Sequence, residues 1–153
     1  MKILLAVMMT AMVAIAGFRA PVRAQLSAES TNSAQPAQSV WDGIYTAEQA
    51  ERGDSLYAKG CAECHGPDLA GDDMAPPLVG DDFLWDWNGL SVGDLFERLR
   101  VSMPDGDARS MTNQEKADVL AFVLLKNDFP VGETELANRT QALKPIAFEA
   151  AKH

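Results

Sequence analysis

Residues 61–66 read CAECHG and hold both cysteines and one of the two histidines of a 153-residue chain. Thiols at i and i+3 beside an imidazole suit a disulfide, a redox dithiol, half of a zinc site or covalent attachment of a haem. Zinc needs four ligands, and beyond this stretch there is no cysteine and only the terminal His153. A thioredoxin-type dithiol calls for a βαβ setting, which the flanking residues do not suggest. A Cys61–Cys64 disulfide is the competing reading of the pair, favoured by any oxidising compartment. Cys-x-x-Cys-His is the attachment signature of c-type haem. Two cysteines one helical turn apart reach the two vinyl groups on one porphyrin edge, and the next residue then sits under the iron. On this reading Cys61 and Cys64 form thioethers to one haem c, and His65 is the proximal ligand through Nε2.

An electron-transfer iron takes a second axial ligand. His153 is the last residue, and termini fray, which disfavours a second histidine. A methionine thioether is a soft ligand that raises the reduction potential. Three methionines, Met74, Met103 and Met111, lie beyond the first 24 residues. Met103 follows an amphipathic helical pattern and precedes Pro104, which holds the residue before it extended. Met74 lies in an Asp-rich loop only nine residues past His65. Met111 stands before a helix-capping signal, where an apolar residue commonly staples the helix start. Met103 is the preferred sixth ligand, with Met111 second.

These residues need elements to position them. Residues 1–24 carry Lys2, then an apolar run from Ile3 to Phe18, then Val22-Arg23-Ala24. That is the pattern of a cleaved export signal, with an apolar run short for a spanning helix. No stable membrane insertion is expected after cleavage, and a periplasmic or exported location follows. Residues 25–40 are polar, small and nearly uncharged, as in a disordered linker. From Trp41 helix-start signals appear: Thr46 with Gln49, Ser91 with Asp94, and Thr112 with Glu115, each a capping box. The second box opens a stripe of Val92, Leu95, Phe96 and Leu99. Residues 66–83 are rich in Gly, Pro and Asp and read as a loop, and no segment alternates as a strand does. The expected fold is all-α, with a domain over residues 41–131 and an extension over 132–153. So small a domain has limited apolar surface to bury, and a large apolar cofactor would fill its centre.

The chain has a net charge of −9, which becomes −12 without the basic Lys2, Arg19 and Arg23. Such a polyanion will not bind nucleic acid non-specifically. It favours partners with basic docking patches. The aspartates at 72, 73, 81, 82, 105 and 107 have no calcium-loop spacing and read as a solvated acidic rim. No acid–base or nucleophile set stands out, so the chain is not expected to be an enzyme.

From Trp41 onward the chain resembles the class I c-type cytochromes, close to exported cytochromes and cytochrome domains associated with periplasmic dehydrogenases. The matching residues are Tyr45 with Gln49-Ala50-x-Arg52-Gly53, then Cys61-Ala62-Glu63-Cys64-His65-Gly66. They continue through Pro76-Pro77-Leu78-Val79-Gly80, Met103-Pro104, Ala121-Phe122-Val123-Leu124, Asn127 and Phe129-Pro130. The resemblance implies three main helices and loops around one covalent haem. It also implies that the Pro76 carbonyl accepts the Nδ1–H of His65, that Gly53 and Tyr57 let the first helix cross the last against Phe122, and that Trp85 or Trp87 donates to a haem propionate. A leucine is usual where Met111 stands. The implied function is one-electron transfer between redox proteins, by a monomeric carrier or by a fixed subunit of a dehydrogenase. A ligand-binding sensor or peroxidase-like centre would need an open sixth position. The apolar residues of the extension, Leu136, Leu143, Ile146 and Phe148, suit either wrapping over the domain or docking a partner.

Overall fold

The computed structural model describes residues 38–152; the segment expected to be an export signal, most of the expected linker and His153 lie outside them. A short strand β1 (Gln38–Ser39) runs into a 3-10 turn (Val40–Asp42). Six helices follow: α1 (Ala47–Gly60), α2 (Ala62–His65), α3 (Gly80–Trp87), α4 (Val92–Ser102), α5 (Asn113–Lys126) and α6 (Thr140–Leu143). A final strand β2 (Ile146–Ala147) pairs in parallel with β1, Gln38 opposite Ile146 and Ser39 opposite Ala147. The all-α class stands, and residues 38–40, read as linker, have regular structure. Among the described residues no helix is long and apolar enough to cross a membrane.

Of the three capping boxes read at helix starts, two form in full; α2, α3 and α6 start without a side-chain cap. Ser91 and Asp94 satisfy each other's backbone amides at α4, as do Thr112 and Glu115 at α5. At α1 only half the box forms. Thr46 accepts from the Gln49 amide, but the Gln49 side chain turns inward. Its Nε2 donates to Asp118 and to the Leu136 carbonyl, both at 3.1 Å, and its Oε1 accepts from the Leu136 amide at 2.6 Å. Burial among unpaired polar groups outweighs a cap that water can replace. The segment read as a loop over residues 66–83 is also helical at its end, since α3 starts at Gly80. Its first turn holds Asp81 and Asp82, which suit the positive end of the helix dipole.

The core is built where α1 crosses α5. A Cβ on Gly53 would lie 1.9 Å from the Asp118 carbonyl oxygen and 2.9 Å from the Phe122 Cβ. Only glycine allows this approach, and beside it the Tyr57 and Phe122 rings pack at 5.4 Å. Helix α5 is buried on every face from Lys116 to Leu124. The extension packs against α1, α4 and α5. Leu136, Leu143, Ile146 and Phe148 are all buried, so this segment wraps over the domain. The Phe148 ring packs against Phe129 at 5.4 Å and Phe83 at 6.1 Å, and Trp41 packs at a tilt on Phe129 at 4.7 Å.

Candidate cofactor site

Helix α1 ends at Gly60, and the next turn carries the two thiols. Cys61 donates its amide to the Tyr57 carbonyl at 2.9 Å and accepts from the His65 amide at 3.0 Å, so α2 continues the helical path after a break. Cys61 and Cys64 are unpaired and half-buried. Burial pushes the Cys61 thiol up, and the neighbouring Cys64 adds to it. A redox dithiol uses a cysteine whose pKa is lowered; this one is held as a neutral thiol. Among the described residues no cluster of three or more His, Cys, Asp or Glu could hold a metal ion, so zinc lacks its remaining ligands.

His65 is buried, 7 % exposed, and its Nδ1 lies 2.9 Å from the Pro76 carbonyl oxygen. A carbonyl can only accept, so the proton sits on Nδ1 and the lone pair on Nε2. Among the described residues Nε2 has no hydrogen-bond partner. The loop over residues 66–79 holds this geometry. Tyr57 donates its hydroxyl to the Gly66 carbonyl at 2.6 Å, and burial pushes its pKa to about 12, which keeps the proton in place. The Gly71 amide donates to the His65 carbonyl at 2.9 Å, and the Leu78 amide to the Leu69 carbonyl at 2.8 Å. Gly71 has φ of 71°, and a Cβ there would lie 2.6 Å from the Ala75 carbonyl oxygen and the Pro77 nitrogen. The chain turns back tightly at Gly71, and that turn delivers the Pro76 carbonyl to the imidazole. Asn127 ties the loop's end to α5: its Nδ2 donates to the Leu78 carbonyl at 2.9 Å, and its Oδ1 accepts from the Gly80 amide.

Met103 is the residue that ends α4. It is extended, with φ −124° and ψ 144°, and half-buried. Met74 is 77 % exposed. The Met111 sulfur lies 3.9 Å from where a Gly60 Cβ would stand, against the end of α1. Trp85 is 65 % exposed on α3, and Trp87 is half-buried with its ring 6.5 Å from Phe83. Among the described residues neither indole N–H has a protein acceptor, whereas Trp41 donates to the Glu149 carbonyl at 3.0 Å.

Leu78, Val79, Leu84, Trp87, Leu99 and Met111 pack against the core yet stay partly exposed. They flank the attachment turn and Met103 in sequence. Two half-buried thiols and an imidazole whose Nδ1 is tied to Pro76 stand together at one turn, and their chemistry fits haem c. Two surface grooves, one between α4 and α6 and one between the start of the ordered chain and the extension, include none of these donors. A cofactor enclosed by side chains that close over its space need not coincide with an open groove.

The capping and motif reasoning did not find Lys116 and Asp118. Both are charged and buried on α5. A lysine and an aspartate inside an otherwise apolar helix stretch are a visible signal, but their partners come from distant segments.

The family described as cytochrome c oxidase, cbb3-type, subunit III matches this chain over residues 48–123, just under half its length. The match runs from the first turn of α1 through the attachment turn and Met103 to Val123 on α5. No curated protein and no solved structure matches the chain.

Proposed function

The chain is a class I c-type cytochrome, and from that premise we propose that it is an exported, periplasmic one-electron carrier with a single haem c. Cys61 and Cys64 would hold the haem as thioethers, and His65 and Met103 would be its axial ligands. When bound, the haem supplies an iron that gains and loses one electron. The observation that carries the reading is the His65 imidazole, with Nδ1 tied to Pro76 and Nε2 free beside two unpaired thiols.

The chain's own groups do the rest. The Pro76 carbonyl fixes the ring plane of His65 and raises its basicity, a common outer-sphere device. Met103 leaves the end of α4 extended, and Pro104 keeps the residue before it out of the helix. Met111 rests by the end of α1, in a packing position. Trp87 or Trp85 would donate to a propionate.

The family's description favours a second reading, because it names an oxidase subunit. The chain would then be a fixed electron-accepting subunit, of a dehydrogenase or another complex, with the same site. Co-purification in a stable complex would support this second reading; transient, salt-sensitive binding supports the carrier. In either case the partner would present a basic patch to an acidic surface.

The deciding experiment is the visible spectrum of the ferric protein, matured in cells with haem-attachment machinery. Wild type should show the weak far-red band of methionine sulfur on ferric iron, and Met103→Ala should lose it. A band that survives in Met103→Ala and vanishes in Met111→Ala would reassign the ligand. Haem bound without any such band would move the sensor or peroxidase-like reading ahead.

A further inference from the structure

Lys116 lies on α5, away from the attachment turn, and is 1 % exposed. Its ammonium donates to three backbone carbonyls: Arg100 at 2.8 Å, Ala108 at 2.6 Å and, more weakly, Leu99 at 3.4 Å. Among the described residues no carboxylate pairs with it. A buried ammonium without a counter-charge is costly, so a function that needs only helix packing would be served better by an apolar residue here. The three carbonyls offset that cost. Two belong to the last turn of α4, where the helix dipole is negative; of these the Leu99 carbonyl already accepts from the Met103 amide at 3.1 Å, and the shorter bond goes to Arg100.

The third carbonyl gives the arrangement its use. Met103 lies between Arg100 and Ala108, so one ammonium closes the segment that carries it. Within residues 104–110 the other hydrogen bonds are local, Asp107 to the Pro104 carbonyl and Ser110 to that of Asp107. Among the described residues the Lys116–Ala108 bond is the one hydrogen bond joining residues 104–110 to the rest of the protein. The same helix holds the other half of the site, because α1 crosses α5 at Gly53 and leads into Cys61. Helix α5 is therefore a common reference for both axial sides.

We propose that Lys116 is a positioning residue for the sixth ligand: by fastening Arg100 and Ala108 to α5 it holds the Met103 segment closed. The proposal rests on the reading of Met103 as ligand. Lys116 touches neither the haem nor a redox partner in this role, and acts only through the backbone.

Imidazole binding to the ferric protein tests it, since imidazole must displace the methionine and so reports the cost of opening the segment. Lys116→Met keeps the length and removes the donors; Lys116→Gln keeps one polar group. Both should retain haem through Cys61, Cys64 and His65, weaken the far-red band and bind imidazole about ten- to hundredfold more tightly, the scale of a lost charged hydrogen bond. Lys59→Met, an exposed change on α1, should leave both readings at wild type. If the Lys116 variants lose thermal stability but keep the band and the wild-type imidazole affinity, Lys116 is structural only and the proposal fails. If wild type itself lacks the band, the ligand reading fails first, which separates the two. Should neither variant fold, wild type supplies the answer. A slowly exchanging Lys116 ammonium coupled across a hydrogen bond to the Ala108 carbonyl carbon supports the tether, and a rapidly exchanging one overturns it.

Discussion

The individual side chains of the site do separable things. Cys61 and Cys64 stand one turn apart and unpaired, so on the proposed reading each would contribute its own bond to the cofactor. With Cys61→Ser or Cys64→Ser alone, haem should stay on the chain through acidified acetone extraction, held by the remaining thioether. With both changed it should extract completely, and a chain that still retained haem would remove the attachment reading. His65 differs in kind, because its orientation depends on a carbonyl that no side-chain substitution deletes. That carbonyl reaches it through the turn at Gly71, where φ is 71° and no Cβ fits. Gly71→Ala should therefore lower stability and disturb the His65 side of the haem, read as altered imidazole proton shifts in the ferrous protein. Overpacking and a strained left-handed residue together cost about 2–4 kcal/mol.

Between elements, the α1–α5 crossing sets the geometry. Gly53→Ala would drive a methyl into the Asp118 carbonyl. The helices would have to separate, with a loss of about 3 kcal/mol in denaturant unfolding, at the upper end of overpacking costs. Thr112→Ala removes one member of a capping box far from that crossing and should cost about 1 kcal/mol with the visible spectrum unchanged. These two positions also show why parts of the fold are legible in sequence. A cap is a local contract between residues three apart, so Ser91 with Asp94 and Thr112 with Glu115 can be read directly. Gln49 shows the limit: it sits at a capping position but spends its amide on Asp118 and Leu136, the latter 87 residues away. Helix α3 escapes notice because Gly80, Asp81 and Asp82 look like a turn until the dipole at a helix start is considered. The Cys61-x-x-Cys64-His65 motif can be read locally because its residues are adjacent in sequence, whereas the Pro76 contact to His65 is implied only by the family resemblance. Lys116 is not legible, since its acceptors are three main-chain oxygens that carry no residue identity.

Across the whole molecule the extension and the surface charge set behaviour. Asp94 pairs with Lys144, and Glu97 binds Arg100 and the Thr140 hydroxyl at 2.6 Å, so α4 carries two acidic clips onto the extension. The Lys144 and Ser91 contacts hold the Asp94 carboxyl down at about 2, and the Arg100 and Thr140 contacts hold that of Glu97 at about 2. Both folded values lie below the ordinary 3.8 and 4.5. The clips are then fully present above about pH 4.5 and are lost as pH falls toward 2. Amide exchange at Lys144 and Phe148, corrected for intrinsic rates, should speed up over that range before α5 responds, and added salt should weaken the clips because they are exposed. Equal responses in α5 and the extension would show that no separate acid release exists. The charge also acts at a distance. Beyond residue 24 the chain carries 22 acidic residues, and a field of that sign steers small charged reagents before any contact is made. Reduction by the cationic hexaammineruthenium(II) should slow, and oxidation by the anionic ferricyanide should accelerate, as ionic strength rises from about 10 mM to about 150 mM. Over that interval the screening length shrinks from roughly 30 Å to roughly 8 Å. Opposite slopes place the electron-transfer edge inside the acidic field and support a basic docking partner. Two flat responses would mean that the acidic residues lie away from the edge, leaving them a role in solubility alone.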